Sequence, residues 1–212
     1  MTLADVTPFV KIAVALFVLV NPLEGVPVFM ARSAHLDDAV RARIARTAAI
    51  AVTVIMLVAF FVGRLLLEGL GIRIGDFMIA GGTLIFLIGV QMVFGSQGGG
   101  AGDGAEDGEI AIVPLAIPLL AGPGVISGCI VYATKGPYGT GCTPTDDLVL
   151  AGIIVGVGFA TWTALRAADP LRRLLGDTGI DVSTRVSGLI VCAIAIEMIR
   201  NGLVALFPAL AA

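Results

Sequence analysis

The residues of this chain best suited to chemistry lie in two stretches of proline and glycine set inside apolar runs. The first is Asn21-Pro22-Leu23-Glu24-Gly25-Val26-Pro27, within the twenty residues that separate Lys11 from Arg32. About twenty apolar residues are what a helix needs to cross a bilayer, yet the centre of this run holds two prolines, a glycine, an amide and a carboxylate. Pro22 and Pro27 donate no backbone N–H and clash with the preceding turn, so the helix is expected to break or unwind here. The second stretch, with Pro118 and Gly122-Pro123-Gly124, interrupts another long uncharged run. Irregular backbone at membrane depth survives only where protein or a water-filled cavity satisfies its polar groups. Both breaks are therefore expected to line a site. The plainer alternative is a pair of proline kinks, with Glu24 snorkelling to the interface.

The chemistry follows from what a break exposes. A half-helix that starts near Gly25 or Gly124 presents free N–H groups and a positive dipole end, suited to a carboxylate. Unwound carbonyls before Pro22 and Pro123 are acceptors, suited to an ammonium group or a cation. A site offering both fits a small zwitterion, and Asn21 and Ser127 can add side-chain hydrogen bonds. The small residues Ala121, Gly122 and Gly124 let a ligand approach the backbone. Glu24 and Glu197 are the two carboxylates deep in apolar helices, where burial raises the pKa and a proton can be carried. Arg200, three residues beyond Glu197 on the same helix face, is expected to neutralise it. Glu24 has no such local partner and is the better acid for coupling transport to H+, with Na+ the other coupling ion considered.

These stretches must be positioned by membrane helices. Of 212 residues, 58% are hydrophobic and 14% charged, and the mean hydropathy is +1.02. No soluble domain of this size can hide that much apolar surface, so the chain reads as one polytopic, all-α membrane domain in the lipid bilayer. Six spans are expected, over residues 8–31, 47–67, 77–95, 110–134, 148–165 and 186–207. Residues 96–109 carry four acids and abundant glycine and read as a flexible exposed linker. The segment 32–46 suits a short amphipathic helix leading into the second span, and His35 there has no assigned role. The Gly152-x-x-x-Gly156 spacing in the fifth span permits close helix packing but recurs by chance in glycine-rich spans.

Arginine and lysine set the orientation. The loops after the first, third and fifth spans and their flanks hold eight basic residues and the opposite side five, which places the first set in the cytoplasm and both termini outside. No cleavable signal peptide is expected, because Asp5 lies in the n-region and no A-x-A site follows. The three cysteines, Cys129, Cys142 and Cys192, lack metal-ligand spacing, and one histidine excludes a His-rich metal centre. Neither H-E-x-x-H nor G-x-S-x-G is present, and no G-x-x-x-x-G-K-[ST]. No enzyme, cofactor or nucleotide-driven pump is expected, nor a nucleic-acid partner. A homo-oligomer is compatible with the sequence.

The chain also repeats itself. Pro22-Leu23-x-x-x-Pro27 has a counterpart in Pro118-Leu119-x-x-x-Pro123. Gly82 precedes Gln91-Met92 as Gly188 precedes Glu197-Met198. Three crossings separate the counterparts, so the halves (8–95 and 110–207) must be inverted. Broken helices in corresponding places of inverted halves point to a transporter site near the midplane.

Three segments, at residues 21–29, 116–127 and 188–203, together resemble the MarC family of six-helix bacterial and archaeal inner-membrane proteins. The resemblance covers nearly the whole chain. It implies the six-helix fold and, through an archaeal branch described as small neutral amino acid transporters, transport of glycine or alanine. It points to Asn21, Pro22, Pro27, Pro118, Gly122, Pro123, Gly124 and Ser127 as site residues. Glu24 stands where relatives commonly carry glycine or another small residue, and Glu197 where glutamine is common. The expectation is a secondary transporter or exporter of a small polar metabolite, working by alternating access. The alternatives are a non-transporting membrane scaffold with a stress-linked role, and a channel.

Overall fold

In the computed structural model the described residues are 3–33, 36–94, 121–139, 141–207 and 209, and every regular element among them is a helix. In chain order they are α1 Leu3–Val20, α2 Pro22–Ser33, α3 Asp38–Leu70, α4 Ile74–Phe94, α5 Pro123–Lys135, α6 Pro144–Arg166 and α7 Ala168–Leu206. Gly176, at φ 65° and ψ 173°, divides α7 into a short helix and the long segment Thr178–Leu206. Four helices are long and apolar enough to cross a membrane: α3, α4, α6 and Thr178–Leu206. They correspond to the second, third, fifth and sixth expected spans. The acidic linker 96–109, Pro118 and His35 lie outside the described residues.

Local chemistry sets the helix ends. The amphipathic segment expected before the second span is the start of α3 itself, 33 residues long, with Asp38 in the first turn. Its far end closes on Gly71, a left-handed residue whose N–H donates to the Glu68 carbonyl while Ile72 N–H donates to that of Leu67. At the start of α6 the Thr143 hydroxyl accepts from Asp146 N–H at 3.2 Å. The Asp146 carboxylate accepts from Thr143 N–H at 2.9 Å, with Pro144 as the first helical residue.

The helices pack around two seams. One joins α1, α3, α5 and α6 through residues such as Leu16, Val52, Met56, Cys129 and Ile154. The other joins α4 to α7 through Met78, Ile85 and Met92 on one side and Val191, Ala195 and Met198 on the other, with Val131 of α5 beside them. Glycine makes the α4–α7 approach close. A Cβ at Gly82 would stand 3.0 Å from the Ala195 carbonyl, one at Gly89 2.9 Å from the Gly188 carbonyl, and one at Gly202 2.8 Å from the Gly75 carbonyl. The two helices are thus antiparallel, with small residues meeting at intervals of seven. By contrast, Gly152 and Gly156 are exposed and have nothing within 4 Å, so that spacing makes no close contact.

A smaller cluster closes one end, where Val26 of α2 meets Ala168 and Ile180 of α7. Above it Arg41 of α3 bridges to Asp169 at 2.9 Å and lies over the Phe29 ring, 6.0 Å from its centroid. Ser33, at the end of α2, is buried and its hydroxyl has no hydrogen-bond partner.

Candidate functional site

The first interruption falls one residue after α1. The apolar part of α1, Val6–Val20, is roughly 22 Å long at 1.5 Å per residue, short of the ~30 Å hydrocarbon core. Alone it falls short of a full crossing, and α2 follows it after a single residue. Asn21 makes that junction. It is the one non-glycine residue with positive φ (43°) among those described, it is only 5% exposed, and its N–H donates to the Phe17 carbonyl at 3.0 Å. Asparagine is among the few residues that adopt this left-handed conformation without large strain. Pro22, which needs no N–H partner, opens α2 and is buried.

Two expectations about this stretch change. The half-helix begins at Pro22, so Gly25 lies inside α2, buried, and not at its free end. The reason is positional: a proline is comfortable in a first helical turn, and the left-handed Asn21 has already turned the chain. Nor does Pro27 break the helix: α2 runs through it from Pro22 to Ser33, because Pro22 and Asn21 have already placed the interruption upstream; the side chains of Glu24 and Pro27 fall outside the described residues.

The second interruption is the start of α5. Ala121 and Gly122 are non-helical, Gly122 is extended (φ −65°, ψ 175°), and Pro123 is the first helical residue. With 13 residues, α5 is about 20 Å long, again less than the hydrocarbon core. Its N-cap, Gly122, has no side chain to bond the first N–H groups, so among the described residues no side-chain cap offsets the positive dipole end. The Gly122 carbonyl, expected to be a free acceptor, is taken up by the N–H groups of Val125 (3.0 Å) and Ile126 (3.2 Å). The extended Gly122 turns its own carbonyl into the helix it precedes. The exposed chemistry at this break is donor-like.

Ser127, one turn into α5, is 5% exposed and occupies the junction of three helices. A Cβ at Gly81 of α4 would stand 2.9 Å from Ser127 Cβ and 3.0 Å from both Ser127 Oγ and Met198 Cε of α7. On the other side, Leu19 Cδ1 lies 2.9 Å from where a Cβ of Gly128 would be. The last turn of α1, just before Asn21, thus rests against the residue that follows Ser127. Gly124, also buried, lies near Ile85 and Ile88 of α4. The fold therefore gathers the end of α1, the start of α5, and the Gly81 and Met198 surfaces of α4 and α7. Gly81 was not singled out from the sequence, although a Gly81-Gly82 pair inside an apolar span marks a close approach. Among the described residues no cluster of three or more His, Cys, Asp or Glu forms a metal site.

Glu197 is not gathered into this region. It is exposed on α7, about 100° or more around the helix from Ala195 and Met198. The expected neutralisation by Arg200 is absent: both side chains are exposed and no ion pair joins them within 4 Å. Helical spacing puts the two on one face, but both are exposed, and an exposed pair gains too little to hold two flexible side chains in one geometry. In the 135–147 loop, Cys142 Sγ lies 3.5 Å from the Tyr132 carbonyl, and burial with the nearby Asp147 pushes its thiol up to about 12.

Comparison with known proteins places this architecture. The UPF0056 membrane protein YhcE of Escherichia coli K12 is 36% identical over 218 residues, covering 99% of this chain and 98% of the relative. A UPF0056 membrane protein of Pyrococcus abyssi is 35% identical over 198 residues, covering 92% and 94%. The UPF0056 inner membrane protein MarC of Citrobacter koseri is 32% identical over 200 residues, covering 89% and 90%. No solved structure matches the chain. The family model for "MarC family integral membrane protein" matches residues 6–207. With that match spanning nearly all of a multi-helix apolar chain, the protein belongs to the MarC family of integral membrane proteins.

Proposed function

We propose that the protein is a secondary transporter of a small polar metabolite, most simply a small neutral amino acid such as glycine or alanine, and that it works by alternating access in the cell's inner membrane. The observation that carries this reading is the buried, left-handed Asn21 between two helices that are each too short to cross alone. Broken helices at membrane depth are where transporters of this general kind hold substrate. The uncapped start of α5 supplies a positive dipole end for a carboxylate, and the α1–α2 junction supplies the amide of Asn21 beside backbone freed by Pro22. Ser127 and its neighbours Gly81, Gly124 and Gly128 are closely packed here, with a Cβ at Gly81 only 2.9 Å from Ser127 Cβ, so a substrate of a few heavy atoms would enter as the helices part. The carboxylate of Glu24, on the first turn of α2, is the proposed coupling group.

An inverted arrangement of two halves is supported by the register of the α4–α7 seam. Gly82 and Gly188, the positions paired in the internal repeat, are related by a shift of 106 residues. The same shift turns the Gly89–Gly188 contact into the Ala195–Gly82 contact. Phe86 and Cys192, 106 apart and so counterparts of each other, meet at 3.9 Å. Contacts that map onto one another when the halves are exchanged are what a two-fold axis in the membrane plane would produce. In this reading both termini face outward, as the eight-to-five excess of basic residues indicates.

Purified protein in liposomes with an imposed pH or Na+ gradient tests the reading, using radiolabelled glycine and alanine. Saturable uptake that Asn21→Ala abolishes, and that loses its pH dependence in Glu24→Gln, is the expected result. Folded protein that moves neither amino acid under either gradient would remove the substrate assignment. Flux that never saturates would replace the transporter with a channel.

A further inference from the structure

We infer that the outward face of α7 is a homodimer interface, in which Glu197 of one copy pairs with Arg200 of a second copy of this chain. The argument is independent of the transport reading and starts from a charge in the wrong place. The segment Thr178–Leu206 has 29 residues and is roughly 44 Å long. Glu197 lies about 7 Å from its midpoint, well inside a hydrocarbon core that extends some 15 Å either side of the bilayer centre. The helix turns Val191, Ala195 and Met198 to α4, and Glu197, about 100° or more around the helix from each of them, is exposed. A carboxylate facing lipid is strongly disfavoured, and such groups normally pair or face protein. Arg200, exposed on the same face, makes no ion pair with it, nor does any other described residue.

A second copy resolves this. In a membrane both copies share one orientation, so a dimer has its two-fold axis along the membrane normal and α7 meets its equivalent in parallel. Such an interface is self-complementary: if Glu197 reaches the second copy's Arg200, Arg200 reaches the second copy's Glu197. The surrounding surface has the matching period. Val186, Leu189, Ala193, Ile196, Arg200 and Leu203 follow one another at alternating steps of three and four, and every one is exposed. That is the seam spacing of two parallel helices, with a charged residue in the seam to set register. The smallest member, Ala193, lies one turn from Glu197, where the helices can come closest. Lipid alone would cover the apolar members but would leave the acid and base without counter-charge.

The test uses the full chain in its native membrane, with Cys129, Cys142 and Cys192 replaced by alanine. A single cysteine is introduced by Ile196→Cys in the seam, or by Val155→Cys on the exposed surface of α6 as a control. Mild oxidation is expected to give a disulfide-linked dimer with Ile196→Cys and at least tenfold less with Val155→Cys. Adding Glu197→Arg should lower the Ile196→Cys dimer at least tenfold, and adding Arg200→Glu to that protein should restore it. Glu197→Gln, the mild change, should lower it several-fold in protein that still elutes as a single species in detergent. Absence of a seam cross-link, equal cross-linking at both sites, or a yield indifferent to Glu197→Arg and Glu197→Gln would each overturn the interface and leave α7 facing lipid.

Discussion

Two glycine-bearing helices of this protein behave in opposite ways. On α4, Gly75, Gly82 and Gly89 recur every seven residues and each meets α7 backbone or its small neighbours. On α6, Gly152 and Gly156 have the four-residue spacing usually associated with helix association, yet both are exposed and touch nothing within 4 Å. The glycine of α6 that matters is Gly158, outside that spacing, which sits directly against the Thr53 hydroxyl of α3. What separates the cases is a partner in register. In a bilayer lipid is as apolar as leucine, so helices gain from meeting only where small residues on both sides let backbones approach. The α4–α7 seam has them on both sides; Gly152 and Gly156 meet no helix among the described residues.

The contrast can be broken most severely within the seam. Gly89→Val places a branched side chain against Cys192 Sγ at 2.6 Å and the Gly188 carbonyl at 2.9 Å. Overpacking of this kind costs about 3 kcal/mol, and thermal melting in detergent should show a large loss of stability. Gly158→Ala should follow, at about 2 kcal/mol, because its new methyl meets Thr53 Oγ1. Thr53→Ala in the same chain should recover part of that loss, so a double-mutant cycle would expose the coupling. Additive effects would mean that Thr53 is not the obstacle.

Gly81→Ala sharpens the comparison, since its neighbours are the candidate site. The added carbon would stand 3.0 Å from Ser127 Oγ and from the flexible end of Met198. Stability should fall by only about 1 kcal/mol, while uptake in liposomes falls far more, because Ser127 must shift. Equal losses of stability and uptake would make this a packing position only. The smallest effect belongs to Gly152→Ala, which meets nothing. Helix propensity alone should make it neutral or stabilising by up to about 1 kcal/mol, read as an unchanged or slightly raised melting temperature.

Much of this was legible in the order of residues. Long apolar runs marked α3, α4, α6 and the long segment of α7, because backbone groups in lipid must bond within their own helix and only long apolar helices allow that. Pro22 after Asn21 and Pro123 after Gly122 marked both interruptions, since a missing N–H and a fixed φ act wherever the chain goes. Other features depend on which surfaces meet. That Gly25 lies inside a helix follows from where Asn21 turned the chain, and that the Gly122 carbonyl points into α5 follows from one extended residue. Nothing in their spacing tells Gly152 from Gly82, or says that Gly81, Ser127 and Met198 converge while Glu197 turns outward. Local rules of proline, glycine and hydrophobicity determined the elements from the sequence alone; the contacts between them were decided by tertiary packing, because a close approach is a property of two surfaces in register and not of either one.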